Sequence, residues 1–143
     1  MGPAALRTAP SWLINQVATH AGRLVHDGFA AHGARGYHYR LLAALHEHGP
    51  ASQADLGRRC GIDRSDVVAA LNELAARDLV RRTPDPDDRR RNVVTLTEPG
   101  RRELDRLTTT LDQIQDTLLA PLTPADRTEL TRLLTALLDH HRQ

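Results

Sequence analysis

Residues Asp85 to Thr97 read DPDDRRRNVVTLT, inside a longer segment, LVRRTPDPDDRRRNVVTLT, that begins at Leu79. Leu79 to Thr83 and Asn92 to Thr97 are short β-type runs, and Pro84 and Pro86 bar a helix between them. Two strands and a turn are therefore expected. Just upstream lies QADLGRRCGIDRSDVVAALNELAARD. Ser52 is placed to cap a short helix, Gly61 to make a tight turn and Asp63 to cap a longer helix. A helix, a glycine turn, a longer helix and then a basic hairpin make a helix-turn-helix with a β-wing. The inward residues are expected to be Leu56, Cys60, Ile62, Val67, Leu71 and Leu74. Arg64, Ser65, Asp66, Ala69 and Ala70 are expected to face outward at the start of the second helix.

Outward from this lobe the chain is helical. Ser11 is expected to cap a first helix carrying Leu13, Val17, Ala21, Leu24 and Val25 on one stripe, fading at His32 to Gly36. YHYRLLAALHEH follows as a second helix, stopped by Gly49-Pro50. Beyond the wing, Thr97 or Glu98 begins a helix in which Leu104, Leu107, Leu111, Ile114 and Leu118 recur at heptad spacing. Thr123 with Asp126 starts a last helix with a second stripe of Leu130, Leu133, Leu134, Leu137 and Leu138. The fold class is mainly α with a small β-wing, and 143 residues suit a single domain. Residues 37–97 form its winged lobe, and 11–34 with 98–143 form helices outside it.

Composition narrows the function. Trp12, Phe29, Tyr37 and Tyr39 are the whole aromatic complement, so a platform for stacking unpaired bases is not expected. Net charge is only +1, yet Arg58 to Arg91 carries nine arginines against seven acids, while Glu98 to Gln143 carries six against eight. Arg81, Arg82, Arg89, Arg90 and Arg91 crowd into the hairpin, and every cationic side chain is arginine, able to grip phosphate or a base edge bidentately. The recognition helix would offer Arg64 to phosphate or guanine, Ser65 to phosphate or a base edge, and Asp66 to cytosine N4, with Ala69 beside them. Ser52 and Gln53 begin the preceding helix, where backbone N–H groups meet phosphates. Double-stranded DNA is the expected partner.

Several alternatives are disfavoured. One cysteine makes no internal disulfide, and Cys60 is expected as a buried structural thiol. His20, His26, His32 and His38 recur every six residues, which stacks no metal ligands on one face, so neither metal nor cofactor is expected. There is no Gly-rich phosphate loop, no G-x-S-x-G and no H-E-x-x-H, and an enzyme is not expected. No stretch has the apolar length of a membrane span, and a cytoplasmic protein is the expectation. Asp66 and the near-neutral charge keep one other reading open, a winged-helix module that binds a protein partner without specific DNA binding.

DPDDRRRNVVTLT resembles the wing signature of the MarR (multiple-antibiotic-resistance regulator) family, roughly D-P-x-D-R-R-x-x-x-V-x-L-T. YHYRLLAAL is similar to that family's second helix, and ADLGRRCGIDRSDVVAALNEL to its helix-turn-helix. The resemblance implies a transcriptional regulator, a homodimeric repressor on a pseudo-palindromic operator. Arg90 would be the wing-tip residue in the minor groove, held by Asp88, with Arg82, Arg89 and Arg91 on the DNA. Leu13, Val17, Leu104, Leu107, Leu111, Ile114, Leu118, Leu130, Leu134 and Leu137 would form the dimer interface. A small anionic or phenolic effector would sit in a crevice between the dimer helices and the DNA lobe, where Trp12, His20, His38, Tyr39 and Arg40 are the candidates. Two departures stand out. Family recognition helices often carry Ser-Thr-x-Thr-Arg where this chain has Ser65-Asp66-Val67-Val68-Ala69, and Asp78 replaces the glycine usual before the wing.

Overall fold

The computed structural model describes residues 2–143. Six helices and a small sheet follow in the order α1 (Pro10–Ala30), α2 (Gly36–His48), β1 (Ala51–Ser52), α3 (Gln53–Cys60), α4 (Arg64–Ala76), β2 (Val80–Pro84), β3 (Asn92–Leu96), α5 (Glu98–Leu118) and α6 (Pro124–His141). The strands lie antiparallel in the order β1-β3-β2, with Val80 opposite Leu96 and Pro84 opposite Asn92. No described helix is long and apolar enough to cross a membrane.

Most boundaries follow from caps. Ser52 Oγ accepts from Asp55 N, Thr97 Oγ1 from Gly100 N and Thr123 Oγ1 from Asp126 N, each satisfying an N–H that a helix start leaves open. Gly61 takes the left-handed conformation at φ 63° and ends α3. Asp78 does the same at φ 60° before the wing, a position where aspartate is tolerated better than most residues. Two expectations are corrected. Ser11 does not cap α1: Pro10 occupies the first turn and Ala9 precedes it without a side-chain bond, because proline's fixed φ starts the helix one residue earlier. Asp63 stands at the N-cap of α4, but its side chain makes no capping bond.

The core of the lobe is Leu41, Leu42 and Leu45 of α2, Leu56 of α3, Val67, Ala70, Leu71 and Leu74 of α4, and Val80 and Val94 of the sheet, all buried. Ala70 therefore faces inward, not outward. Its helical position lies one turn from Val67 and Leu74, so it belongs to the apolar stripe. Cys60 is half-buried, with its thiol donating to the Arg40 carbonyl at 3.5 Å.

The long helices join this lobe through α5. Phe29 at the end of α1 stacks on Tyr39 of α2, ring centres 5.6 Å apart. Gly28 leaves room for Ile114, whose Cδ1 would lie 2.7 Å from any Cβ there. Leu104, Leu107 and Ile114 are consumed by this packing, at 6%, 0% and 7% exposure, so they are corrected from dimer contacts to intramolecular core. The seam has one face, and α1 and α2 already cover it. Leu111, Leu118 and Leu130 are half-buried. By contrast α6 buries no residue, and Leu133, Leu134, Leu137 and Leu138 are 45–49% exposed. Leu13, Ile14 and Val17 of α1 are 42–53% exposed.

At the wing's foot, Thr97 Oγ1 donates to the Asp78 carbonyl at 2.6 Å and Thr97 N to the Leu79 carbonyl at 3.2 Å. Gly100 is pressed against that same Leu79 carbonyl, with no space for a Cβ. Gly100→Ala is expected to cost roughly 2–3 kcal/mol, since backbone rather than a flexible side chain must give way. A matched pair of urea unfolding curves checks this.

Candidate nucleic-acid interface

The wing tip is built by its aspartates. Asp85 N donates to the Arg91 carbonyl at 2.8 Å, closing the hairpin, and Asp87 N donates to Asp85 Oδ1 at 2.9 Å. Asp88 Oδ1 accepts from both Arg90 N and Arg90 Nε at 3.1 Å. These bonds hold the Asp88 carboxyl below the usual carboxylate range. The Arg90 side chain nevertheless stays 91% exposed, so its outer guanidinium edge is aimed at solvent from a fixed base. Arg89 and Arg91 are exposed on either side.

Between the wing and the helix-turn-helix lies a cleft of about 610 Å³. Arg64 of α4 and Arg90 and Arg91 of the wing line it, with Gln53, Val67 and Val68 among its other walls. Cations thus surround a partly apolar floor. Within it, Gln53 Oε1 is buried and finds no hydrogen-bond partner among the described residues. Such an orphaned acceptor carries a desolvation cost of about 1–3 kcal/mol that a donor entering the cleft would relieve.

Other expected contacts are placed differently. Ser52 lines the cleft, but it is buried with its hydroxyl spent on the α3 cap. Ser65 and Ala69 are exposed on the outward stripe of α4. Arg82 is half-buried and donates to Asn72 Oδ1 of α4 at 2.7 Å, which ties β2 to the helix and takes both side chains out of the free set. Asp66 does not line the cleft. It is half-buried on the stripe shared with Ala70 and Glu73, about 60° around the helix from Ala69.

The effector residues do not meet in one chain. His38 is 3% exposed and fully engaged: Nδ1 accepts from Arg35 N at 3.1 Å, which leaves Nε2 to donate to Glu73 Oε2 at 2.9 Å. Arg35 Nη2 reaches the other Glu73 oxygen at 2.6 Å. Burial holds His38 below the usual histidine range, although Glu73 favours its charged form. His38 as a cationic carboxylate holder is thus corrected. Tyr39 bonds Thr108 of α5 at 3.2 Å, and exposed Arg40 donates to the Cys60 carbonyl at 3.0 Å while stacking on Tyr37 at 4.9 Å. Trp12 lies against Gly2 near the start of α1, and His20 is exposed farther along the same helix. Among the described residues, no three His, Cys, Asp or Glu side chains gather as a metal site. Burial also pushes the Cys60 thiol up, against Arg40 and Arg59. Sequence reasoning missed Val68, Asn72 and Glu73, whose roles depend on which neighbour each helix stripe meets.

A family model described as MarR family matches residues 33–91. A probable transcriptional regulator from Pseudomonas aeruginosa is 30% identical and superposes with a TM-score of 0.80, covering 92% of this chain and 98% of that one. The chain belongs to the MarR family. The HTH-type transcriptional repressor NicR of Pseudomonas putida is 37% identical over 98 residues, 68% of this chain and 62% of NicR. The MarR-family chain covers 57–62% of the length of the curated relatives it matches. BpsR of Bordetella bronchiseptica, whose DNA binding is regulated by 6-hydroxynicotinic acid, is 26% identical with a TM-score of 0.79 over 96% of this chain and 99% of its own.

The His38 geometry sets a pH dependence with a definite sign. A histidine whose folded value lies below its unfolded one contributes stability that is complete above the usual range, near 6.5, and is lost as pH falls through it. Unfolding free energy should decline from about pH 7 to pH 5, and the decline should shrink in His38→Gln. Denaturant titrations at several pH values measure it.

Proposed function

We propose that this chain is a sequence-specific, double-stranded-DNA-binding transcriptional regulator, a homodimeric repressor released by a small ligand. The observation that carries the reading is the cleft framed by Arg64, Arg90 and Arg91, with Arg90 steadied by Asp88 yet almost wholly exposed. A thin β-tip fits the minor groove, whose negative potential draws arginine, while a helix fits the major groove. Phosphates suit Arg89, Arg91 and the start of α3 at Gln53.

The dimer reading is supported by the unburied stripes of α6, above all Leu134 and Leu137, and by Leu13 and Val17 of α1. Exposed apolar side chains in such number on two helices favour a second copy. In that arrangement 11–34 and 98–143 serve dimerisation and 37–97 DNA binding, within one domain. Two lobes about 34–36 Å apart would meet successive major grooves of a pseudo-palindromic operator. The effector reading takes support from BpsR, regulated by 6-hydroxynicotinic acid, a phenol-like anion. Trp12, His20, Tyr39 and Arg40 stay its candidate contacts, completed across the dimer because one chain leaves them apart. A cytoplasmic, non-catalytic protein without cofactor goes with this function.

Titration against DNA from upstream of its own gene, with random DNA as competitor, tests the reading. Specific affinity is expected to fall roughly a thousandfold between 50 and 200 mM salt where six or more phosphates are contacted. Arg90→Ala is expected to weaken specific binding about tenfold or more with an unchanged unfolding curve. Unchanged affinity in that variant would remove the wing from the interface, and absence of DNA binding would turn the lobe toward a protein partner.

A further inference from the structure

The outward face of α4 is short of polar groups. Arg64 and Val68, four residues apart, stand one above the other, and Ser65, Ala69 and Asn72 form the adjoining row. Asn72 is held by Arg82. Asp66 belongs to the next row, with buried Ala70 and with Glu73, whose carboxylate is shared between Arg35 and His38. What remains to meet base edges is two donors in the first turn, Arg64 and Ser65, and then two apolar side chains, half-buried Val68 in the cleft and exposed Ala69 beside it.

Resting on the DNA-binding reading above, we infer that Val68 and Ala69 determine specificity by packing on pyrimidine 5-methyl groups, so that the operator half-site carries thymine beneath this part of α4. The four bases differ in what they show in the major groove. Cytosine and adenine present exocyclic amino donors, guanine presents two acceptors, and thymine presents an acceptor and a methyl. An amino group pressed against Val68 and Ala69 meets no acceptor on either side chain, and Asn72 Oδ1 beyond them already accepts from Arg82. Guanine suits Arg64, one turn earlier. Thymine alone sets an apolar group against the apolar pair.

The test uses the full chain and duplexes enriched by it from a random library. The enriched duplex is compared with versions carrying deoxyuridine for thymidine beneath α4, which removes the methyl and nothing else. Loss of each methyl is expected to weaken binding about fourfold, and about 15-fold where both half-sites of a symmetrical site are changed. Val68→Ala should lose most of that difference, which ties the methyl to this side chain. Placing 5-methyl-deoxycytidine there separates methyl from base: binding better than unmethylated deoxycytidine and weaker than thymidine is expected. Equal affinity for the thymidine and deoxyuridine duplexes, or enriched half-sites lacking thymine there, would overturn the inference while leaving specific DNA binding intact. Failure to enrich any duplex would overturn the DNA-binding reading itself, and this inference with it.

Discussion

Glu103 keeps only 5% of its side chain in water, and two arginines close around its carboxylate. Arg77, just past the end of α4, reaches Glu103 Oε2 at 2.6 Å, and Arg106, one turn along α5, bonds both oxygens at 2.7 and 2.8 Å. Arg106 also contacts His32 at 3.1 Å, and His32 contacts Thr110 at 2.9 Å. One buried charge thus gathers the end of α4, the middle of α5 and the loop after α1. Removing either arginine leaves a buried charge short of its partners, a strongly destabilising change of the kind that costs several kcal/mol. The position of the winged lobe relative to the long helices rests on this network and on the Thr97–Asp78 clamp beside it.

Apolar burial divides the chain in two. From Phe29 to Ile114 the large apolar side chains find partners within the chain, whereas Leu133, Leu134, Leu137 and Leu138 of α6 and Leu13, Ile14 and Val17 of α1 stay exposed. The charged wing sits at the opposite extreme, a hairpin whose shape is set by aspartate side chains bonding its own backbone. Packing holds the lobe, polar turn chemistry holds its tip, and the apolar stripes at the ends stay uncovered.

Much of this was legible in the residues. Ser52, Gly61, Thr97 and Thr123 each announce a boundary because cap chemistry is local, and Pro84 and Pro86 bar a helix through the wing. The core of the helix-turn-helix followed from helical spacing. What was not legible shares a cause: it depended on which elements meet. Leu104, Leu107 and Ile114 make the same heptad whether the facing helix belongs to this chain or another. His38 and Arg82 carry the same polar chemistry on a free surface or in a pair, and only the positions of Glu73 and Asn72 decide between them. The two-residue strand β1 is shorter than any alternation can reveal.

The first turn of α2 places three consecutive side chains on three different neighbours. At about 100° per residue, His38 turns to α4, Tyr39 to α1 and α5, and Arg40 to the end of α3. A helix bound on so many sides behaves like an axle with no slack: it cannot roll without breaking a bond to the recognition helix, a bond to the long helices or a bond to the turn between them. A twist of α2 would therefore be felt at α4, at α5 and at the end of α3 together.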